Sequence, residues 1–122
     1  MLKSLYLTKV MFMANLMDAE KTKSLLNTIL VLKDIKEAKA FFRDLLTEAE
    51  LDEFGNRWLA ARMLNDGVSY NVIQKTTGLS TTTIARISKW LKRGRGGYKL
   101  MLKRFPLQNH HHNSSPVGKG LS

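Results

Sequence analysis

The chain has no cysteine among its 122 residues, which excludes disulfides, thiol nucleophiles and zinc sites built from thiolates and fits a reducing compartment. It also lacks the alternation of apolar and polar residues that is typical of strands. No stretch reaches the ~18–20 apolar residues of a membrane helix. The N-terminal apolar run faintly resembles a signal peptide, but Lys9 interrupts it. We therefore expect an all-α, cytoplasmic protein.

Histidine is confined to His110, His111 and His112. Three adjacent imidazoles on a floppy tail do not form a defined metal site, so we expect no metal ion. No glycine-rich loop follows a strand to hold a phosphate, and the carboxylates of residues 44–53 have no partnering base. The sequence therefore predicts no catalytic residue, no cofactor and no enzyme.

Charge is distributed unevenly along the chain, whose net charge is +10. Residues 1–56 carry 8 Lys and Arg against 9 Asp and Glu, whereas residues 57–105 carry 11 against 1. Eight cations and no acid lie between Arg86 and Arg104. Such a density favours binding of a polyanion, chiefly through release of counterions, although a charge run can also be only a solvated surface.

Helical periodicity accounts for most of the chain, and we expect about six helices. Asp34 with Glu37, and Thr47 with Glu50, form capping boxes that start two of them. The expected helices lie at 20–32, 35–46, 47–64 and 98–105, with two short helices within residues 69–91.

The expected domain covers residues 20–105. Residues 1–19 have weak periodicity and form an N-terminal arm that could be ordered or floppy. Residues 106–122 are rich in Asn, Ser, Gly and Pro, and we expect this tail to be disordered.

Residues 69–91 are typical of a helix-turn-helix. Ser69 and Ser80 are candidate N-caps, and Gly78 suits the left-handed position that ends the first helix. Val72 and Ile73 are expected to point inward from the first helix. One stripe of the second helix is apolar and consists of Ile84, Ile87 and Leu91. An αα-hairpin inside an ordinary helical domain is the alternative.

The opposite face of the second helix is small and polar, so its backbone can approach a DNA major groove. Base-edge contacts are expected near its start, and phosphate contacts further along. Thr81, Thr82 and Ala85 belong to the first group, and Ser88, Lys89 and Lys92 to the second. Lys92, Arg93 and Arg95 could also form a phosphate clamp; alternatively, the glycines beside them only relieve strain in a loop.

Two stretches carry a family resemblance: TEAELDEFGNRWLAARMLNDG, starting at Thr47, and the VSYNVIQKTTGLSTTTIARISKWLKRG that follows it. Together with GGYKLML they resemble the Trp repressor superfamily, and within it the YerC/YecD-like branch, over residues 24–104. The resemblance implies a six-helix fold, an intertwined homodimer and a pseudo-palindromic DNA site.

By position, the resemblance also implies roles for individual residues. Base edges would be read by Thr81, Thr82, Thr83 and Ala85, and phosphates or the groove edge would be met by Asn71, Gln74 and Lys75. A candidate effector pocket would contain Thr47, Arg57 and Arg86. Where the tryptophan-responsive repressor has a small serine, this chain has Trp90, whose indole would plug the pocket, so L-tryptophan is not expected to bind.

We therefore expect a sequence-specific transcriptional regulator, a repressor that binds double-stranded DNA as a dimer. The alternative is a general nucleic-acid-binding module of a replication or transposition system. The chain has no room for a separate catalytic centre, which disfavours an autonomous enzyme of that kind.

Overall fold

The computed structural model describes residues 2–105 of the chain. These residues form six helices and no strand: α1 (Leu2–Ile29), α2 (Ile35–Leu45), α3 (Glu48–Asn65), α4 (Tyr70–Thr77), α5 (Thr81–Arg93) and α6 (97–105). The predicted all-α class is confirmed. The tail from residue 106 onward, with its three histidines, lies outside the described residues, so its predicted disorder stays a prediction.

The chain divides into two compact units, Met1–Thr47 and Glu48–Ser122. The first unit contains α1 and α2, and the second contains α3 to α6. None of the helices between residues 2 and 105 is long and apolar enough to cross a membrane.

In the first unit, α1 is longer than its periodicity indicates. It begins at Leu2 rather than at residue 20 and ends at Ile29 rather than at residue 32, so the described part of the N-terminal arm is helical. No residue of α1 or α2 is buried within their described spans. Large apolar side chains of α1 are exposed, among them Leu5, Val10, Phe12, Leu16 and Met17. The first unit thus has no buried core of its own.

Helix α2 starts at a capped turn that differs in one bond from the predicted capping box. The Asp34 carboxylate accepts a hydrogen bond from the Glu37 N–H at 2.8 Å, as expected. The Glu37 carboxylate, however, accepts from the N–H of Lys33 at 3.0 Å, one residue before the cap. The helix start is correct, but the return bond satisfies a different backbone group.

The core of the second unit lies where α3, α4 and α5 pack against one another. Ala60 and Ala61 lie on α3, and their small side chains leave room for the larger ones opposite. The buried residues of this core are Ala60, Ala61, Ile73, Leu79, Ile84 and Ile87. The inward position predicted for Val72 is wrong, because its side chain is 48% exposed. Adjacent helical residues point about 100° apart, and Ile73 occupies the core direction.

Helix α6 is held against α3 by aromatic contacts. The Trp58 ring lies 5.8 Å from the Phe105 ring, edge to face, and 6.4 Å from the Tyr98 ring, nearly parallel. The Arg62 guanidinium lies 4.5 Å above the Phe105 ring, a cation–π distance. Leu102 of the same helix is buried, so α6 is an integral part of this unit.

Candidate nucleic-acid interface

The first helix of the predicted helix-turn-helix is capped at both ends as its sequence indicates. The Ser69 hydroxyl accepts a hydrogen bond from the Val72 N–H at 3.4 Å. At the other end Gly78 adopts φ 75°, and its N–H donates to the Gln74 carbonyl at 2.8 Å. A left-handed residue here costs glycine little and other residues more, so α4 ends at a position set by one residue.

The turn is fixed by Thr77, a residue that the sequence analysis did not single out. Its buried hydroxyl donates to the Ile73 carbonyl at 2.7 Å and accepts from the Leu79 N–H at 3.2 Å. A threonine directly before the turn glycine is the signal that could have revealed it, because such hydroxyls often bond the backbone of turns. The side chain therefore ties the end of α4 to the connection that leads into α5.

The start of α5 is organised by a pair of hydroxyls. Ser80 accepts a hydrogen bond from the Thr83 N–H at 3.1 Å and donates to the Thr83 hydroxyl at 3.0 Å. Ile84 and Ile87 of the same helix are fully buried. Because the apolar stripe faces the core, the opposite side of α5 faces outward.

The four residues predicted to read bases lie at this outward start of α5, but they differ in exposure to solvent. Thr81, Thr82 and Ala85 are exposed, whereas Thr83 is half-buried. The Thr83 hydroxyl is already bonded to Ser80. Thr83 is therefore placed to fix the helix start, and the other three present side chains to solvent.

The residues predicted to meet phosphates border this surface on α4, on α5 and after it. All are exposed except Ser88, which is half-buried: Asn71, Gln74, Lys75, Ser88, Lys89, Lys92, Arg93 and Arg95. Their cations lie on the second unit, which also holds the basic excess of residues 57–105. The arrangement offers a long-range attraction for a polyanion together with short side chains at a helix start.

The four residues of the candidate effector pocket are divided between the two units. Thr47 belongs to the first unit and the other three to the second. The Arg57 guanidinium is ion-paired with Glu53, Nη2 to Oε2 at 3.0 Å, and its Nε is buried without a hydrogen bond. Arg86 is exposed on α5. The Arg57 guanidinium is thus engaged by an acidic residue one helical turn earlier on the same helix.

Trp90 lies at an open groove of ≈ 670 Å³ on the second unit. Its indole is 41% exposed, and the groove is also lined by Trp58, Tyr98 and Met101, with Arg93 and Arg95 at its edge. Neither Arg57 nor Arg86 lines this groove. The structure thus joins Trp90 to an aromatic surface rather than to the two arginines of the candidate effector pocket.

Tyr98 is the titratable group in this region with a perturbed pKa. Burial raises the pKa of its phenol above the usual value, and the positive charge of Arg57 lowers it in part.

Across residues 2–105 no three His, Asp or Glu side chains come close enough together to hold a metal ion.

Comparison with known proteins places this geometry in context. Residues 20–106 match the family model described as Trp repressor protein. The chain is 42% identical over 80 residues to the uncharacterised protein YerC of Bacillus subtilis, a match that covers 66% of this chain and 77% of YerC.

Solved structures give the same result at the level of the fold. A TrpR-like protein from Eubacterium eligens superposes with a TM-score of 0.68 at 36% identity, over 71% of this chain and 90% of that one. A structure from Staphylococcus aureus gives a TM-score of 0.68 at 32% identity, over 71% and 87%. The fold predicted from the motifs is confirmed.

Proposed function

We propose that this chain, which belongs to the Trp repressor family, is a DNA-binding transcriptional regulator of the cytoplasm that represses by occupying a promoter. The observation that carries the proposal is the outward start of α5. Caps at Ser69, Gly78 and Ser80 fix the two helices of the helix-turn-helix. At the exposed start of α5 they leave the small side chains of Thr81, Thr82 and Ala85, so the helix backbone can approach a major groove there.

In this proposal α5 reads bases and its surroundings hold phosphates. Threonine hydroxyls can donate or accept at base edges, and the methyl groups of Thr and Ala can contact the thymine methyl. Thr81, Thr82 and Ala85 are the exposed readers, and Thr83 acts mainly by holding the helix start. The cations that follow along α5 and after it supply affinity that does not depend on sequence.

We propose further that the regulator is a homodimer that binds a pseudo-palindromic operator. The first unit supports this, because neither α1 nor α2 buries a residue while large apolar side chains are exposed on both. Exposed apolar surfaces of this extent mark interaction sites in soluble proteins. Two copies would present two recognition helices to successive major grooves, about 34 Å apart.

The same proposal excludes L-tryptophan as corepressor. Trp90 replaces a small residue with an indole, and Arg57 is engaged by Glu53. A free amino acid would have to break the Arg57–Glu53 ion pair before that guanidinium could bind its carboxylate. We therefore propose a regulator that binds its operator without tryptophan.

A general nucleic-acid-binding module is the second candidate. The eight cations from Arg86 to Arg104, with no acid among them, favour it because such a run binds any duplex. The two candidate functions differ in how strongly DNA binding depends on the base sequence, and a single experiment measures that difference.

Selection of random duplex DNA by the purified protein at ~150 mM salt tests the proposal, because purely electrostatic binding is much weakened there. Enrichment of a pseudo-palindrome is the expected result. Binding that appears only at low salt, with no enriched sequence, would contradict a specific regulator and favour the general module.

A further inference from the structure

The second unit has a wide basic groove beside the helix-turn-helix. Its volume is ≈ 1040 Å³, and it is bordered by the end of α3, the first residue of α4, the last turns of α5 and one side of α6. Lys92 enters it from α5, and Lys99 and Lys103 enter it from α6. Both lysines of α6 lie outside the set of phosphate-contacting residues inferred from the sequence.

The charge around this groove has one sign. All three lysines are exposed, none forms an ion pair with a described residue, and no carboxylate lines the groove. Three residues with neutral donor groups, Asn65, Tyr70 and Ser88, also line the groove. The rest of the lining is aliphatic or glycine: Leu64, Gly67, Val68, Leu91, Leu100 and Leu102. Ammonium groups with neighbouring hydroxyl and amide donors are the groups that bind phosphate oxygens in DNA complexes.

We propose that this groove binds the sugar–phosphate backbone of DNA flanking the sequence read by α5, so that α6 extends the contact surface beyond the helix-turn-helix. This inference rests on the proposed function, because it assumes that α5 docks on a duplex. The contact would be independent of base sequence, since lysines on phosphates position a protein without reading bases.

Two geometric features favour a nucleic-acid strand over a small anion. Lys99 and Lys103 are four residues apart on one helix, which separates them by about 6 Å along its axis. Phosphates of one strand recur about every 3.4 Å along a duplex, so the pair spans about two of them. The groove is also open and lined by residues of α3, α4, α5 and α6, whereas a pocket for one small anion would be enclosed.

The position of Tyr70 connects the groove to the DNA-binding surface. Tyr70 is the first residue of α4, and the first helix of a helix-turn-helix crosses the DNA backbone while the second enters the major groove. Lys92 lies one helical turn after Ser88 on α5 and also borders the groove. The groove therefore begins where the backbone of a docked duplex is expected to run and continues along α6.

The test compares the double variant K99Q/K103Q with the control K36Q/K39Q. The control also removes two positive charges, but from exposed positions on α2, in the first unit. Binding to a 30-base-pair duplex of arbitrary sequence is measured by fluorescence anisotropy over a range of salt concentrations. We expect K99Q/K103Q to reduce the slope of log K against log salt by about 1 per lost phosphate contact, which is about 2 per protomer and about 4 for the proposed homodimer. The control should retain the wild-type slope.

A slope for K99Q/K103Q equal to that of the wild type, or reduced no more than that of the control, would overturn the inference. K99R/K103R keeps both charges and should restore the slope; failure to do so while the variant melts like the wild type would also contradict a phosphate contact. Failure of the proposed function gives a different result, because selection at ~150 mM salt would then enrich no sequence even for the wild type.

Flank length tests the location of the contact. The affinities of the wild type and of K99Q/K103Q are measured for two duplexes. One is trimmed to the selected sequence, and the other has ten extra base pairs on each side. The wild type should gain affinity from the flanks and K99Q/K103Q should gain much less. Equal gains would place the contact elsewhere.

Discussion

The rings of Trp58 and Tyr98 stack almost in parallel, with centroids 6.4 Å apart and 13° between their planes. One ring belongs to α3 and the other to α6, so this contact joins the scaffold of the second unit to the helix that carries Lys99 and Lys103. Offset aromatic pairs contribute about 0.5–1.5 kcal/mol beyond the area they bury. The stack places α6 relative to α3, and the burial it brings raises the pKa of the Tyr98 phenol.

The raised pKa of Tyr98 predicts a loss of stability at high pH. The unfolded tyrosine ionises near pH 10, whereas the folded one keeps its proton to higher pH. The stabilising effect of the protonated state is therefore complete below about pH 10 and is lost as the pH rises from there towards the folded pKa. Urea denaturation of wild type and Tyr98→Phe between pH 8 and 11 should show a steeper decline for the wild type. Parallel curves would contradict this prediction.

Two glycines should respond in opposite directions to substitution by alanine. Gly78 has φ 75° at the end of α4, and an L residue there costs about 1–2 kcal/mol. Gly55 lies inside α3 with open space around its missing Cβ, and alanine is about 0.5–1 kcal/mol better than glycine within a helix. Thermal denaturation should show Gly78→Ala below the wild type and Gly55→Ala above it. A Gly78→Ala variant as stable as the wild type would contradict the left-handed turn, and a destabilised Gly55→Ala would contradict the open space around Gly55.

Substitutions at the two ends of α5 should separate base reading from phosphate binding. Thr82→Ala is expected to cost about 1–3 kcal/mol at one base position and to relax specificity there. Lys92→Ala should weaken binding to all duplexes and reduce the salt slope by about 1 per protomer. Titrations against the selected site and against single-base variants measure both effects. Equal losses on every sequence from both variants would contradict the division of α5.

The proposed homodimer predicts that a charge on α2 separates the copies. Leu45 is 45% exposed, and Leu45→Asp should lower the mass measured by light scattering to that of a monomer, because an unpaired carboxylate in an apolar interface is costly. Lys36→Asp is the control: nine residues away on the same helix, it points about 180° from Leu45. An unchanged mass for Leu45→Asp would remove α2 from the interface.

The exclusion of L-tryptophan predicts an absence of binding that one substitution reverses. Calorimetric titration of the wild type with L-tryptophan should give no saturable heat. Trp90→Ser, which replaces the indole by a small side chain, should bind the amino acid if the indole fills its site. Saturable binding by the wild type would refute the proposal directly.

Local sequence signals were sufficient for both ends of α4 and for the start of α5, whereas α5 ends at Arg93, two residues later than expected. Ser69, Gly78 and Ser80 each act on backbone groups at most four residues away, so their patterns specify the turn without knowledge of the fold. Val72 and Thr77 were misjudged or missed because their burial depends on which face of α4 meets α3 and α5, and that is decided by tertiary packing.

The basic groove could not be predicted for a related reason. Lys99 and Lys103 were visible only as members of a long cationic run, and their convergence with Lys92 requires α6 to fold back on α3 through Trp58. Likewise the length of α1 exceeded its prediction, because the helical periodicity of residues 2–19 is weak where no side chain is buried.

The hydrogen bonds that cap α4 and shape the α4–α5 turn have a consequence for the order of folding. They join Ser69 to Val72, Gln74 to Gly78, Thr77 to Leu79 and Ser80 to Thr83, all separations of four residues or fewer. Loops this short close in well under a microsecond, and contacts of low sequence separation speed folding. The helix-turn-helix can therefore form early in folding. The aromatic stack between α3 and α6 forms later, because its partners are forty residues apart in the sequence and must close a longer loop.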